Sequence, residues 1–346
     1  MIRSRPWRLR LDPAHFGPRE AWLLEAASYS VSSFRYPRGV EAIRVTCGRG
    51  EIVWLPFLGQ QLWDWKIDGR SRKFTGFVQT PAPGRTYLQN YGAFLIHCGV
   101  TAMGNPGPGD THPLHGELPT AVFDRVWLEI LAAGSGSLAL CGSLHWHVPY
   151  EVNYRCLVRT TIDPAGTSVS VEVTLRNESE LPLEAMYLAH INFALAGAAF
   201  VRCAEKHADG AIRIRDESAN PGARPQLVVG TLHLAGLRAD PEFVATIGRG
   251  PVPARETESR LVLEDGSSFW VRPQSPLLDH HVIWISSTPD RGACGFHLPS
   301  TAAPDGLAAA RAAGDLKLIP PRGTSKMTYS FGYNDAEQTG KEQRDG

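Results

Sequence analysis

Ser168-Val169-Ser170-Val171-Glu172-Val173-Thr174-Leu175-Arg176 alternates polar and branched apolar residues with period two, and Asn177-Glu178-Ser179-Glu180 closes it as a turn. Successive side chains on a strand point to opposite faces, so this stretch is a strand with one buried and one solvated face. The pattern extends in both directions. Residues 51–58 and 125–131 are strand candidates before it, and 261–263, 268–271, 281–286 and 326–333 follow it. The 34 glycines and 26 prolines punctuate short runs rather than long ones. Helical signal is confined to an alanine-rich stretch within 304–313. There is no βαβ rhythm, no heptad repeat and no clean linker. Many short strands between Gly/Pro turns predict an all-β sandwich or barrel.

The bulk properties narrow the function. The 346 residues suffice for a large core, and 43% of them are hydrophobic. Lys plus Arg and Asp plus Glu stand at 35 each, so net charge steers the chain towards no nucleic acid. The opening has a local basic bias (Arg3, Arg5, Arg8 and Arg10 before Asp12) that reads as a solvated N-terminal strand or arm. Six cysteines, none in a CxxC pair, lie mostly in apolar runs and read as reduced, buried thiols. The N-terminus shows no signal-peptide apolar region, and no window is long and apolar enough to span a bilayer. The expectation is a cytoplasmic protein with no membrane or nucleic-acid partner, a monomer or homodimer. No GxGxxG after a strand, P-loop, nucleophile elbow or HExxH occurs, so nucleotide cofactors and serine-hydrolase chemistry lack support.

Four clusters concentrate ionisable side chains. In Thr111-His112-Pro113-Leu114-His115-Gly116-Glu117 two imidazoles and a carboxylate occupy a Gly/Pro loop. A ligand site, structural turn bonding and metal ligation all remain open for it. In Tyr187-Leu188-Ala189-His190-Ile191-Asn192-Phe193, a strand would put Leu188, His190 and Asn192 on one face, an imidazole beside an amide. His145 and His147 would share one strand face near Glu151, in partial likeness to a cupin metal motif. Near the end, Asp279, His280, His281 and Trp284 precede Cys294-Gly295-Phe296-His297-Leu298-Pro299; a tryptophan there offers either a sugar platform or simple core.

Taken in order, Tyr91-Gly92-Ala93-Phe94-Leu95-Ile96-His97-Cys98-Gly99-Val100, His112-Pro113-Leu114-His115-Gly116-Glu117, Arg176-Asn177-Glu178, Ala189-His190-Ile191-Asn192-Phe193 and Gly314-Asp315-Leu316 resemble the aldose 1-epimerase (galactose mutarotase-like) superfamily, in its divergent epimerase-like branch. The resemblance covers roughly residues 43–335. It implies a β-supersandwich over 43–335, with 1–42 as an N-terminal arm or edge strands and 336–346 as a polar tail. It also implies a carbohydrate ligand, and an isomerase that interconverts anomers at C1 of a free sugar by general acid–base catalysis without a cofactor. By position, His190 resembles the general acid and His115 the histidine near the ring oxygen, with His112 and Glu117 as supplements. Asn192, Asp279 and Trp284 complete the expected sugar contacts. His297 stands where the family has its glutamate base. Either His297 is the base, or a carboxylate such as Glu117 or Asp279 replaces it, or sugar binds without turnover. A metal-dependent sugar isomerase using His145, His147 and Glu151 is the remaining alternative.

Overall fold

The computed structural model describes residues 7–130, 137–203, 208–248 and 258–336. Among these residues two large, mainly antiparallel sheets carry the fold, one of ten strands and one of fourteen. In the ten-stranded sheet the order runs Trp7–Leu11, Arg125–Ile130, Leu138–Val148, Val152–Ile162, Ser168–Asn177, Thr324–Asn334, Ser268–Pro273 and Ser259–Leu263, ending on Ala198–Arg202 and Thr231–His233. The centre of the other sheet runs Phe243–Gly248, His280–Thr288, Arg291–Ser300, Leu183–Ile191, Leu95–Val100 and Leu62–Ile67. Its far edge is built from Glu41–Cys47, Tyr29–Arg35 and Ala21–Ala26.

The decisive strand forms as its pattern predicts. In Ser168–Asn177 every second side chain from Val169 onward is buried. Asn177 then ends it chemically: its amide nitrogen donates to the carbonyls of Leu181, Ile319 and Pro320, and its Oδ1 accepts from the Ser179 N–H. The expected run 51–58 is shorter than its composition suggested. Its strand is Gly50–Trp54, and Pro56, which has no N–H to give a ladder, follows. The alanine-rich helix is Leu307–Ala313, stopped by Gly314 in the left-handed conformation at φ 76°. The short helix Ala223–Val228 carried no comparable sequence signal. Arg3, Arg5 and the tail from residue 337 lie outside the described residues.

The core lies between the sheets. Trp65, Phe94, Phe193 and Phe296 from one side interleave with Phe269 and Phe331 from the other, at ring-centroid separations of 4.9–5.5 Å. Each such side chain contributes roughly 1.5–3 kcal/mol by burial. A polar thread crosses the same layer. His97 Nδ1 meets Tyr187 Oη at 2.6 Å, and Tyr187 Oη meets Tyr329 Oη at 3.1 Å. Burial lowers the His97 pKa to about 3, so this imidazole is neutral. All six cysteines are buried. Among the described residues no helix is long and apolar enough to cross a membrane.

Candidate functional site

The strand Leu183–Ile191 is buried on both faces, for two different reasons. Tyr187 turns towards the sheet interface and its thread, whereas Leu188 and His190 turn to the opposite face and line a concave cleft. The cleft has a volume of about 270 Å³, at the small end of ligand sites, which run roughly 300–1,000 Å³. His115, Tyr87, Trp284, Arg291 and the pair Arg215–Glu242 close around it.

His190 is held by a network that fixes its proton. The Asn192 amide nitrogen donates to the carbonyls of Ala93 (3.0 Å) and His190 (3.3 Å). Its Oδ1 is thereby left to accept, and it takes the Tyr91 hydroxyl at 2.6 Å and His190 Nδ1 at 2.7 Å. The network therefore assigns the proton to Nδ1 and leaves Nε2 as an unprotonated acceptor. Nε2 has no protein hydrogen-bond partner among the described residues. Burial lowers the His190 pKa to about 4, with the Asn192 bond opposing that shift. At neutral pH the resting group is an imidazole with its lone pair free.

His115 reaches the same cleft from the loop. Its backbone sits at φ 62°, and its N–H and C=O are tied to Gly104 O (3.1 Å) and Gly99 N (3.0 Å). Gly116 follows at φ 77°, where a Cβ would collide with the carbonyls of Ala102 and Gly99. This turn places the His115 and His190 rings 5.5 Å apart at 88°. Burial, then His190, Arg215 and His112, hold the His115 pKa well below the usual histidine range. The His115 and Tyr87 rings lie 4.7 Å apart, and His115 Nδ1 and Tyr87 Oη are buried without hydrogen-bond partners among the described residues. The Trp284 ring lies 5.1 Å from His190, and its indole N–H donates to Glu242 Oε2 at 2.7 Å. Arg215 donates to Glu242 Oε1 at 2.6 Å. Arg291 has no carboxylate partner among the described residues; its Nε donates to Ser286 Oγ at 2.9 Å.

The structure thus brings His115, His190 and Trp284 to one cleft, with Asn192 behind His190. It places the other expected residues elsewhere. His112 lines a separate shallow groove; its Nδ1 donates to Pro113 O at 2.9 Å and its Nε2 accepts from Leu307 N at 3.4 Å, tying the loop to a helix. Glu117 accepts from Thr101 N (3.0 Å), Thr101 Oγ1 (2.7 Å) and Tyr154 Oη (2.7 Å), which joins the loop to both sheets. Asp279 is bonded to His280 and Lys317. His297 faces the sheet interface: it stacks on His281 at 3.8 Å and bonds Ser259 Oγ at 2.9 Å. His145 and His147 do share a strand face, 5.2 Å apart, but His145 Nε2 is bonded to Asn153 Oδ1. Among the described residues no three His, Cys, Asp or Glu side chains converge in a metal-holding group.

Sequence reasoning missed Tyr87, Arg215, Glu242 and Arg291. Arg215 directly follows strand Ile212–Ile214, and Glu242 directly precedes Phe243–Gly248. Charged residues at the ends of short apolar strands are the one signal that pointed to them.

The family described as "Domain of unknown function (DUF4432)" matches residues 37–332. No curated protein matches the chain in sequence. An aldose 1-epimerase candidate from Klebsiella pneumoniae superposes with a TM-score of 0.80 at 15% identity, over 98% of this chain and 90% of that one. A galactose mutarotase-like protein from Lactobacillus casei gives 0.60 at 13% identity, over 85% and 100%. Another from Clostridium acetobutylicum gives 0.58 at 12% identity, over 88% and 98%. The expected fold is therefore the observed one: a galactose mutarotase-like β-sandwich, shared with these structures at low sequence identity.

Proposed function

The chain belongs to the DUF4432 family, and we propose that its cleft binds a free sugar and interconverts the anomers at C1. The observation that carries this is the clamped His190, neutral and presenting a free Nε2 to a small cleft opposite His115. Nε2 takes the proton of the C1 hydroxyl. As C1=O forms, the C1–O5 bond breaks and its electrons pass to the ring oxygen. The imidazolium, a strong acid because its pKa is depressed, gives the proton to that oxygen. Rotation about C1–C2 and reclosure by the reverse steps give the other anomer. Atoms, electrons and protons balance with no cofactor. His190 thus serves as base and then acid, which bears on the missing glutamate: a resting neutral imidazole removes the need for a carboxylate base. Arg291 and Arg215 supply positive charge for the oxygen anion that develops. His115 and Tyr87 wall the cleft beside His190 and shape it around the sugar. Glu242, already bonded by Arg215 and Trp284, holds those two groups in place and accepts from sugar hydroxyls at the mouth.

The test is anomer exchange across a panel of free aldoses, followed by exchange NMR or polarimetry against buffer alone. Acceleration of at least one sugar is expected. Saturable binding of a sugar without acceleration of its exchange makes the protein a sugar binder instead. Neither binding nor acceleration for any sugar overturns both readings.

A further inference from the structure

The basic bias of the N-terminus has a structural destination. Strand Trp7–Leu11 pairs antiparallel with Arg125–Ile130, so Arg8 and Arg10 are laid on the outer face of the ten-stranded sheet, opposite Glu129 and Trp127. The register carries the same face onward. Arg125 lies opposite Ser143, Ser143 opposite Leu157, and Arg155 opposite Arg176. Arg8, Arg10, Arg125, Arg155 and Arg176 line a groove of about 810 Å³ on this face. Among the described residues no carboxylate lines the groove with them.

Two carboxylates beside the groove serve five arginines, Glu178 lying also 3.8 Å from Arg322. Glu129 is shared by Arg8 (3.0 Å) and Arg159 (2.7 Å), and Glu178 by Arg155 and Arg176 (3.3 Å each). Arg10 and Arg125 have no ion partner among the described residues and are exposed. A surface needs no such imbalance for solubility when the whole chain is neutral. The groove runs across five inter-strand steps, from Trp7–Leu11 to Thr324–Asn334, about 24 Å at the usual strand spacing. Guanidinium forks suit carboxylate and sulfate groups, to which they donate in pairs. Ser143 and Thr174 stand between the arginines and Thr324 just beyond Arg176, and all three offer hydroxyls.

We infer that this face binds a linear anionic saccharide, a chain of acidic sugars laid across the strands. A single-stranded nucleic acid fits less well. It needs exposed rings to stack its bases, and the groove's one aromatic side chain, Trp127, lies under the Arg8 guanidinium at 5.3 Å. A protein partner needs an apolar anchor at the centre of its footprint, and none of the exposed large hydrophobic side chains lines this groove. The site lies on the other sheet from the His190 cleft and does not depend on what that cleft does.

The probes are oligogalacturonate, neutral dextran of similar length and a single-stranded oligonucleotide of similar charge, measured by calorimetry on the full chain. Oligogalacturonate binds and dextran does not. The charge reversal Arg10→Glu/Arg125→Glu weakens oligogalacturonate binding by about tenfold or more, since it removes two unpaired donors and adds repulsion. The milder Arg10→Gln/Arg125→Gln weakens it less, and both variants keep the wild-type circular dichroism and melting temperature. No binding of oligogalacturonate, binding indifferent to both double variants, or oligonucleotide binding that is equal or tighter overturns the inference.

Discussion

His190 and His297 stand on neighbouring strands of one sheet, Leu183–Ile191 and Arg291–Ser300, joined where Leu188 meets Ser300. Both are buried, and both are catalytic candidates on the sequence alone. They differ in the face they occupy. His190 shares the cleft face with Leu188; on the other strand Arg291 and Leu298 line the cleft, whereas His297 turns inward to His281 and Ser259. A titratable side chain acts on a ligand only if its free nitrogen meets the ligand, and one residue of register decides that.

The largest expected effect separates the two. His190→Ala lowers the exchange rate about 10²–10⁴-fold, the usual contribution of a positioned acid–base group, and leaves the fold intact. His297→Ala instead costs about 2–4 kcal/mol of stability, because it opens a cavity and strands the Ser259 hydroxyl, while exchange per folded molecule stays near wild type. Equal losses of exchange from the two variants would erase the distinction. Next comes the clamp. Asn192→Ala frees Nδ1 and Tyr91 and removes the bond that raises the His190 pKa; exchange drops about tenfold, and the His190 pKa moves further down, measured by the acid limb of the rate profile. An unchanged limb would mean that Asn192 does not orient the ring.

The acid response itself is smaller and has a fixed sign. His97 and His190 have folded pKa values of about 3 and about 4, against about 6.5 in the unfolded chain. The folded state therefore binds fewer protons, and the stability gained by keeping both rings neutral is complete above about pH 6.5. It is lost as pH falls from there towards 4 for His190 and 3 for His97. Urea midpoints against pH would show a decline over that window, shallower in His97→Phe. A midpoint flat down to pH 4 would contradict it. The smallest effect belongs to the other histidine pair. His145→Ala/His147→Ala leaves exchange within about twofold, as expected for surface changes remote from the cleft; a large loss, together with a chelator-induced loss in the wild type that a divalent metal reverses, would revive the metal reading.

The fold was legible because period two is a local property. Val169, Val171, Val173 and Leu175 announce a half-buried strand without reference to anything distant, and Gly314 announces the end of a helix. The site was legible only in part. His190 could be placed with Leu188 by counting along one strand. His297 could not, because the pairing of its strand with His280–Thr288 slips between Val282 and Trp284, and a slip changes faces without leaving a mark in the sequence. The histidine loop shows the same limit. His112 and His115 are three residues apart, yet the left-handed turn at His115 sends one ring to the cleft and leaves the other capping a helix. Arg215 and Glu242 flank two short strands and are separated by 26 intervening residues, and only the sheet order brings them together.

Nitrogen-15 NMR of histidine-labelled protein tests the central claim most directly, because it reads which ring nitrogen of His190 carries the proton. The account predicts the Nδ1–H tautomer across neutral pH, no titration until pH approaches about 4, and a shift of the Nε2 resonance when sugar is added. An Nε2–H tautomer, a titration near the ordinary value of about 6.5, or an Nε2 signal indifferent to a sugar that binds would contradict it.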